Sequence, residues 1–146
     1  MIHPSRLLAT VAALAGFAAS NCFAQVAVED PWVRPTVATQ KATGAFMKIT
    51  AAKGGRLVGA SSPVADTVEV HEMRLEGDTM KMRAVPALDL PAGKPVELRP
   101  GSYHVMLFGL KAPVNAGDNV LLNLLVEGAD GKRETVAVQA IARPPK

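Results

Sequence analysis

Cysteine is almost missing: the chain of 146 residues has one, Cys22. Past that point there is no disulfide, no Cys-x-x-Cys redox pair, no thiol nucleophile and no thiolate metal ligand. Stability then has to come from a packed core, which about 120 residues can supply. Aromatic residues make up only 4% of the chain, so the stacking platforms used to hold single-stranded nucleic acid are lacking. Charge of one sign is scarce as well. The net charge is +3, with Lys and Arg scattered singly, which argues against nucleic acid or an anionic membrane surface as a partner. Neither a Gly-x-Ser-x-Gly nor a His-Glu-x-x-His pattern is present, and serine-hydrolase and zinc-hydrolase readings lose their usual support.

One long apolar run is present, at the N-terminus. Arg6 precedes an uncharged stretch from Leu7 to Ala19, and Cys22-Phe23-Ala24 offers a small-residue cleavage site before Gln25. That layout is a secretory signal peptide over residues 1–24, and the run is too short to span a bilayer. Cleavage after Ala24 is expected, with export to the periplasm; a lipid anchor on Cys22 is the alternative, although Asn21 stands where a small residue is wanted. Residues 25–146 then form one domain, with no membrane span.

From Val26 onward, short β-prone runs alternate with Gly, Pro and Asp. The strands expected are Val26–Glu29, Gly44–Thr50, Leu57–Ser61, Thr67–Leu75, Thr79–Ala84, Val96–Leu98, Tyr103–Leu110, Val120–Glu127 and Glu134–Ile141. Strands at this spacing, without a helical period between them, indicate an all-β sandwich or barrel.

Two histidines remain after the signal, His71 and His104, and each has a methionine two residues on, Met73 and Met106. On a strand, residues i and i+2 share a face, so each pair projects together. Met80 and Met82 form a third pair. A hairpin folded about Glu76-Gly77, with Leu75 opposite Asp78, sets His71 across from Met82 and Met73 across from Met80. One hairpin then carries an imidazole and up to three thioethers on one side, and His104 and Met106 complete a cage if they lie nearby. Thioether sulfur is soft and favours Cu(I) over Zn, Mg or Ca, while imidazole suits copper in either oxidation state. Thioethers cannot form disulfides in an oxidising compartment. Methionine also fills β-cores well. Core filling is the expectation for Met47 beside Phe46, and a core or edge anchor for Trp32, the sole tryptophan.

The order His71, ten residues, Met82, twenty-one residues, His104, one residue, Met106 resembles the ligand signature of the periplasmic PCu(A)C copper chaperones. Trp32-Val33-Arg34 and Gly101-Ser102-Tyr103-His104-Val105-Met106-Leu107 extend the likeness across the domain. The resemblance implies a cupredoxin-like Greek-key β-sandwich that holds one Cu(I) on His71, Met82, His104 and Met106. It also implies delivery for cytochrome c oxidase assembly, with an oxidase subunit or a Sco-like assembly factor as copper recipient. Met73, and Met80 beside it, lie in the cluster outside the four signature positions and stand as additional or reserve ligands. Some family members carry a C-terminal tail rich in His and Met; this chain has Arg143-Pro144-Pro145-Lys146 there, so that extra Cu(II) site is not expected.

A blue-copper electron carrier needs a cysteine ligand that the domain lacks. A binding protein rather than an enzyme is therefore expected, acting as a monomer. A periplasmic copper or silver buffer, and a metal-free β-sandwich interaction module with a Met-lined core, remain as alternatives.

Overall fold

The computed structural model describes residues 25–146; the expected signal peptide, Cys22 included, lies outside the described residues. Ten strands follow one another: β1 (Val26–Val33), β2 (Ala42–Ala51), β3 (Gly55–Ser61), β4 (Ala65–Glu76), β5 (Thr79–Ala84), β6 (Leu88–Leu90), β7 (Val96–Leu98), β8 (His104–Leu110), β9 (Asn119–Gly128) and β10 (Arg133–Ala142). Nine are the strands read from the sequence; Thr79–Ala84 and Val96–Leu98 match at both ends, and the other seven differ at one end or both. The tenth, β6, was not read from the sequence; its three residues alternate, with Leu88 and Leu90 buried and Asp89 exposed.

The strands join in the order β5-β4-β8-β2-β1-β10-β9-β3-β6, with β7 pairing β2 beside this path. β1 and β10 are parallel; the other pairings are antiparallel. β3 and β4, near opposite ends of the path, touch each other, so the sheet rolls around a single apolar cluster. The all-β, single-domain expectation holds.

Pleating decides what faces the cluster. Val70, Val105, Ala45 and Val33 pair in a row across four strands, and all four are buried. The adjacent residues point the other way, and there His71 pairs with His104 and Trp32 with Phe46. Burying an aliphatic side chain of this size stabilises by about 1.5–3 kcal/mol. A one-residue slip would turn the valines outward and the histidines into the core, so the apolar row fixes the histidine row.

Candidate metal centre

Two turns set the site. The first joins β4 to β5. Glu76 pairs with Thr79 across Gly77-Asp78, which places Met73 opposite Met82, Leu75 opposite Met80 and His71 opposite Ala84. The expected register is thereby corrected by two residues. Gly77 has φ 61° while Asp78 is not in the left-handed region, the requirement of a type II′ turn with glycine first. A two-residue slip preserves the face, so His71, Met73, Met80 and Met82 still project to one side.

The second turn, Arg99-Pro100-Gly101-Ser102, joins β7 to β8. Ser102 N–H donates to the Arg99 carbonyl at 3.0 Å, and Gly101 has φ 84°. Proline second and glycine third make a type II turn. It aims the Ser102 carbonyl at the site, where it accepts from the Met73 N–H at 3.3 Å and from His104 Nδ1 at 3.0 Å.

That bond fixes the His104 tautomer. A carbonyl only accepts, so Nδ1 carries the proton and Nε2 of the neutral ring carries a lone pair. Nε2 lies 3.1 Å from Met82 Sδ. Two electron-pair donors thus turn toward one space. Burial pushes the His104 pKa below the ordinary histidine value; the Ser102 bond opposes this, and the neighbouring His71 and Arg34 add to it. The ring is kept neutral and available as a ligand.

His71 is held by a different partner. Its Nε2 lies 2.7 Å from Glu69 Oε2, two residues back on the same face of β4. With Nε2–H donated to the carboxylate, Nδ1 bears the lone pair. Among the described residues, Nδ1 is the buried side-chain nitrogen or oxygen left with no hydrogen-bond partner. Buried polar atoms are nearly always paired, and an imidazole with a carboxylate on one nitrogen and nothing on the other has the usual arrangement of a metal-ligating histidine. The two imidazoles are 5.8 Å apart between centroids, and both residues are buried, at 6% and 5% exposure.

Met82, Met73, Met106 and His104 line an open groove of about 340 Å³, walled by Arg34, Phe46 and Gly101 among others. His71 is not part of that lining; its ring is the neighbour of His104. Met82 is 45% exposed as a residue, while both histidines are buried, so the site lies at the border of core and solvent. Met106 pairs with Glu69 on one side and Gly44 on the other, and a Cβ at Gly44 would come within 3.8 Å of its sulfur. Met80, opposite Leu75 and 49% exposed, stands further out on the hairpin. The four signature residues and Met73 are thus gathered in one region, with Met80 at its margin. Met47 is buried on the core side, as expected of a core filler.

Sequence reasoning missed Glu69, Gly44 and the Ser102 carbonyl. The i−2 spacing of Glu69 from His71 on a strand was a usable signal; Gly44 and Ser102 become meaningful only through pairing across strands. Trp32 stacks on Phe46 at 4.5 Å between centroids, with the Arg143 guanidinium 4.5 Å over its ring, which fits an anchor. Among the described residues no three His, Cys, Asp or Glu side chains converge as a metal site; the contact at this site is between imidazole and thioether. No helix among these residues is long and apolar enough to cross a membrane.

Comparison with known proteins bears on this site. Residues 26–140 match the family described as "Putative lipoprotein LpqE-like". "Putative lipoprotein Lxx21020" of Leifsonia xyli subsp. xyli is 33% identical over 114 residues, spanning 77% of this chain and 68% of that one. Among solved structures, the copper-bound PCuAC domain from PmoF2 superposes with a TM-score of 0.65 at 21% identity, covering 83% of this chain and 94% of that domain. At that identity the likeness establishes the fold. The Cu(I) form of the DR1885 protein of Deinococcus radiodurans superposes with a TM-score of 0.61 at 28% identity, covering 86% of this chain and 83% of that one. This chain belongs to the LpqE-like family and has the fold of copper-binding PCuAC domains.

Proposed function

We propose that this protein is an exported copper carrier that holds one Cu(I) on His71, Met82, His104 and Met106 and gives it up to a partner. The observation that carries the reading is the pairing of His104 Nε2 with Met82 Sδ at 3.1 Å, with Nδ1 tied back to the Ser102 carbonyl. The unpartnered Nδ1 of buried His71 supplies a second nitrogen. Two neutral nitrogens and two neutral sulfurs suit a closed-shell, soft, monovalent ion, and leave the ion's charge uncompensated, which favours release. Binding and release change no bond in a substrate, so the role is that of a carrier rather than an enzyme.

The N-terminal layout of residues 1–24 supports export to the periplasm. The recipient is a copper site under assembly in cytochrome c oxidase, either the subunit itself or a Sco-like factor, as the His-Met spacing and the family likeness suggest. The direct test loads the protein with Cu(I) against a chromophoric chelator and then offers it an apo copper-site domain of an oxidase subunit. One tight equivalent, passed on faster than it dissociates into buffer, is expected. Tight binding without transfer to the subunit or a Sco-like factor would move the role to copper buffering. No binding above background would contradict the metal reading altogether.

A further inference from the structure

The tip of the β4–β5 hairpin reaches past the rest of the sheet. β4 pairs with β8 only as far as His71 and His104, and among the described residues β5 forms the outer edge with no strand beyond it. On one face of this tip stand Met73 and Met82, directly paired, and Met80, two residues along from Met82. Directly paired Cβ atoms lie about 4.5–5.5 Å apart and diagonal ones about 7–8 Å, within reach of side chains with three rotatable bonds and a terminal thioether. Met80 and Met82 are 49% and 45% exposed.

The charges of the hairpin are on its other face. Arg83 pairs with Glu72 at 2.6 Å and Lys81 with Glu76 at 3.1 Å; by strand alternation these four residues point away from the methionines. The methionine face past His71 carries Met73, Leu75, Met80, Met82 and Ala84, with no carboxylate to attract a hard cation. Three neutral thioethers can form a trigonal set for Cu(I) or Ag(I).

We propose that Met73, Met80 and Met82 form a second, weaker Cu(I) station through which the ion enters and leaves the His–Met site; this rests on the copper-carrier reading above. Met82 belongs to both donor sets. The ion moves outward by exchanging His104, Met106 and His71 for Met73 and Met80 while Met82 stays attached. No step takes up a proton or an electron, and copper remains Cu(I) throughout. Met80 and Met82, the exposed members of the set, are then the ones a recipient's ligands meet first.

Cu(I) withdrawal from the loaded protein by excess chromophoric chelator tests this. Replacing Met80 with leucine keeps the apolar surface and removes only sulfur. Met80→Leu should slow both loading and withdrawal about tenfold, while Lys81→Ala on the opposite face should leave them at the parent rate. In a His71→Ala/His104→Ala variant, one weak equivalent of Ag(I) should remain and be lost when Met80→Leu is added. Parent-like rates in Met80→Leu, with normal copper loading of the parent, would overturn the station and leave the His–Met site standing. Failure of the parent itself to bind Cu(I) would overturn both.

Discussion

His104 and Met82, twenty-two positions apart in the chain, meet with Nε2 3.1 Å from Sδ. The contact joins the outer edge strand β5 to β8 across β4, and His104 enters it with its proton already committed to the Ser102 carbonyl. Met82 is half exposed on the edge strand of the described sheet, so little packing depends on it. Met82→Leu should lower Cu(I) affinity at least about tenfold, a loss no smaller than is typical for disturbing a metal site's supporting residues. The thermal midpoint should move little. Chelator competition and a melting curve on the same variant check the two halves.

Acid should act through His104. Its folded pKa is lowered by burial, so the unfolded chain takes up the proton first as pH falls. Stability from this group is fully present above about pH 6.5 and is lost as pH drops through the lowered folded value. Copper competes with the same proton. Affinity should hold through neutral pH and weaken only below the ordinary histidine range. An NMR titration of the imidazole C–H signals, run beside chelator competition at each pH, should find His104 titrating below 6.5.

Glu69 orients rather than ligates. Its carboxylate accepts from His71 Nε2 at 2.7 Å, which leaves Nδ1 as the free lone pair. Glu69 is partly exposed, so Glu69→Ala should leave the fold intact and reduce Cu(I) affinity about 10–100-fold. Circular dichroism together with the copper titration separates loss of orientation from loss of structure.

Gly44 keeps a space clear. A Cβ there would lie 3.1 Å from the Phe46 ring and 3.8 Å from Met106 Sδ, and Phe46 in turn packs 6.3 Å from the His104 ring between centroids. Gly44→Val should therefore weaken copper binding more than it destabilises the domain. A titration normalised to folded protein would show it.

Leu107 tests the separation of core from site. It is fully buried on the core side of β8, next to Met106 in sequence but on the opposite face. Leu107→Ala should cost about 2–5 kcal/mol of stability. At a temperature where the variant remains folded, its copper stoichiometry should match the parent. Denaturant unfolding and chelator competition read the two quantities separately.

Much of this was legible in residue order because β-structure has a period of two. The spacing of His71 with Met73 and of His104 with Met106 already placed each pair on one strand face, and the structure keeps both pairs there. The alternation of β9, with Val120, Leu122, Leu124 and Val126 all buried, is equally plain. Register across the hairpin was not, because Glu76-Gly77-Asp78 permits more than one two-residue turn. The positive φ of Gly77 decided it and moved Met73, not His71, opposite Met82. The Ser102 carbonyl was invisible for a different reason: a backbone oxygen has no letter in the sequence, and only the Pro100-Gly101 turn brings it to His104.

The central claim is the donor set, two imidazole nitrogens and two thioether sulfurs around one Cu(I). X-ray absorption at the copper edge of the Cu(I)-loaded protein, with Met82→Leu and Met106→Leu measured beside it, reads that set directly. The account predicts a mixed nitrogen and sulfur shell in the parent, with one sulfur lost in each variant. A parent shell of nitrogen and oxygen alone, or a sulfur contribution unchanged in both variants, would contradict it.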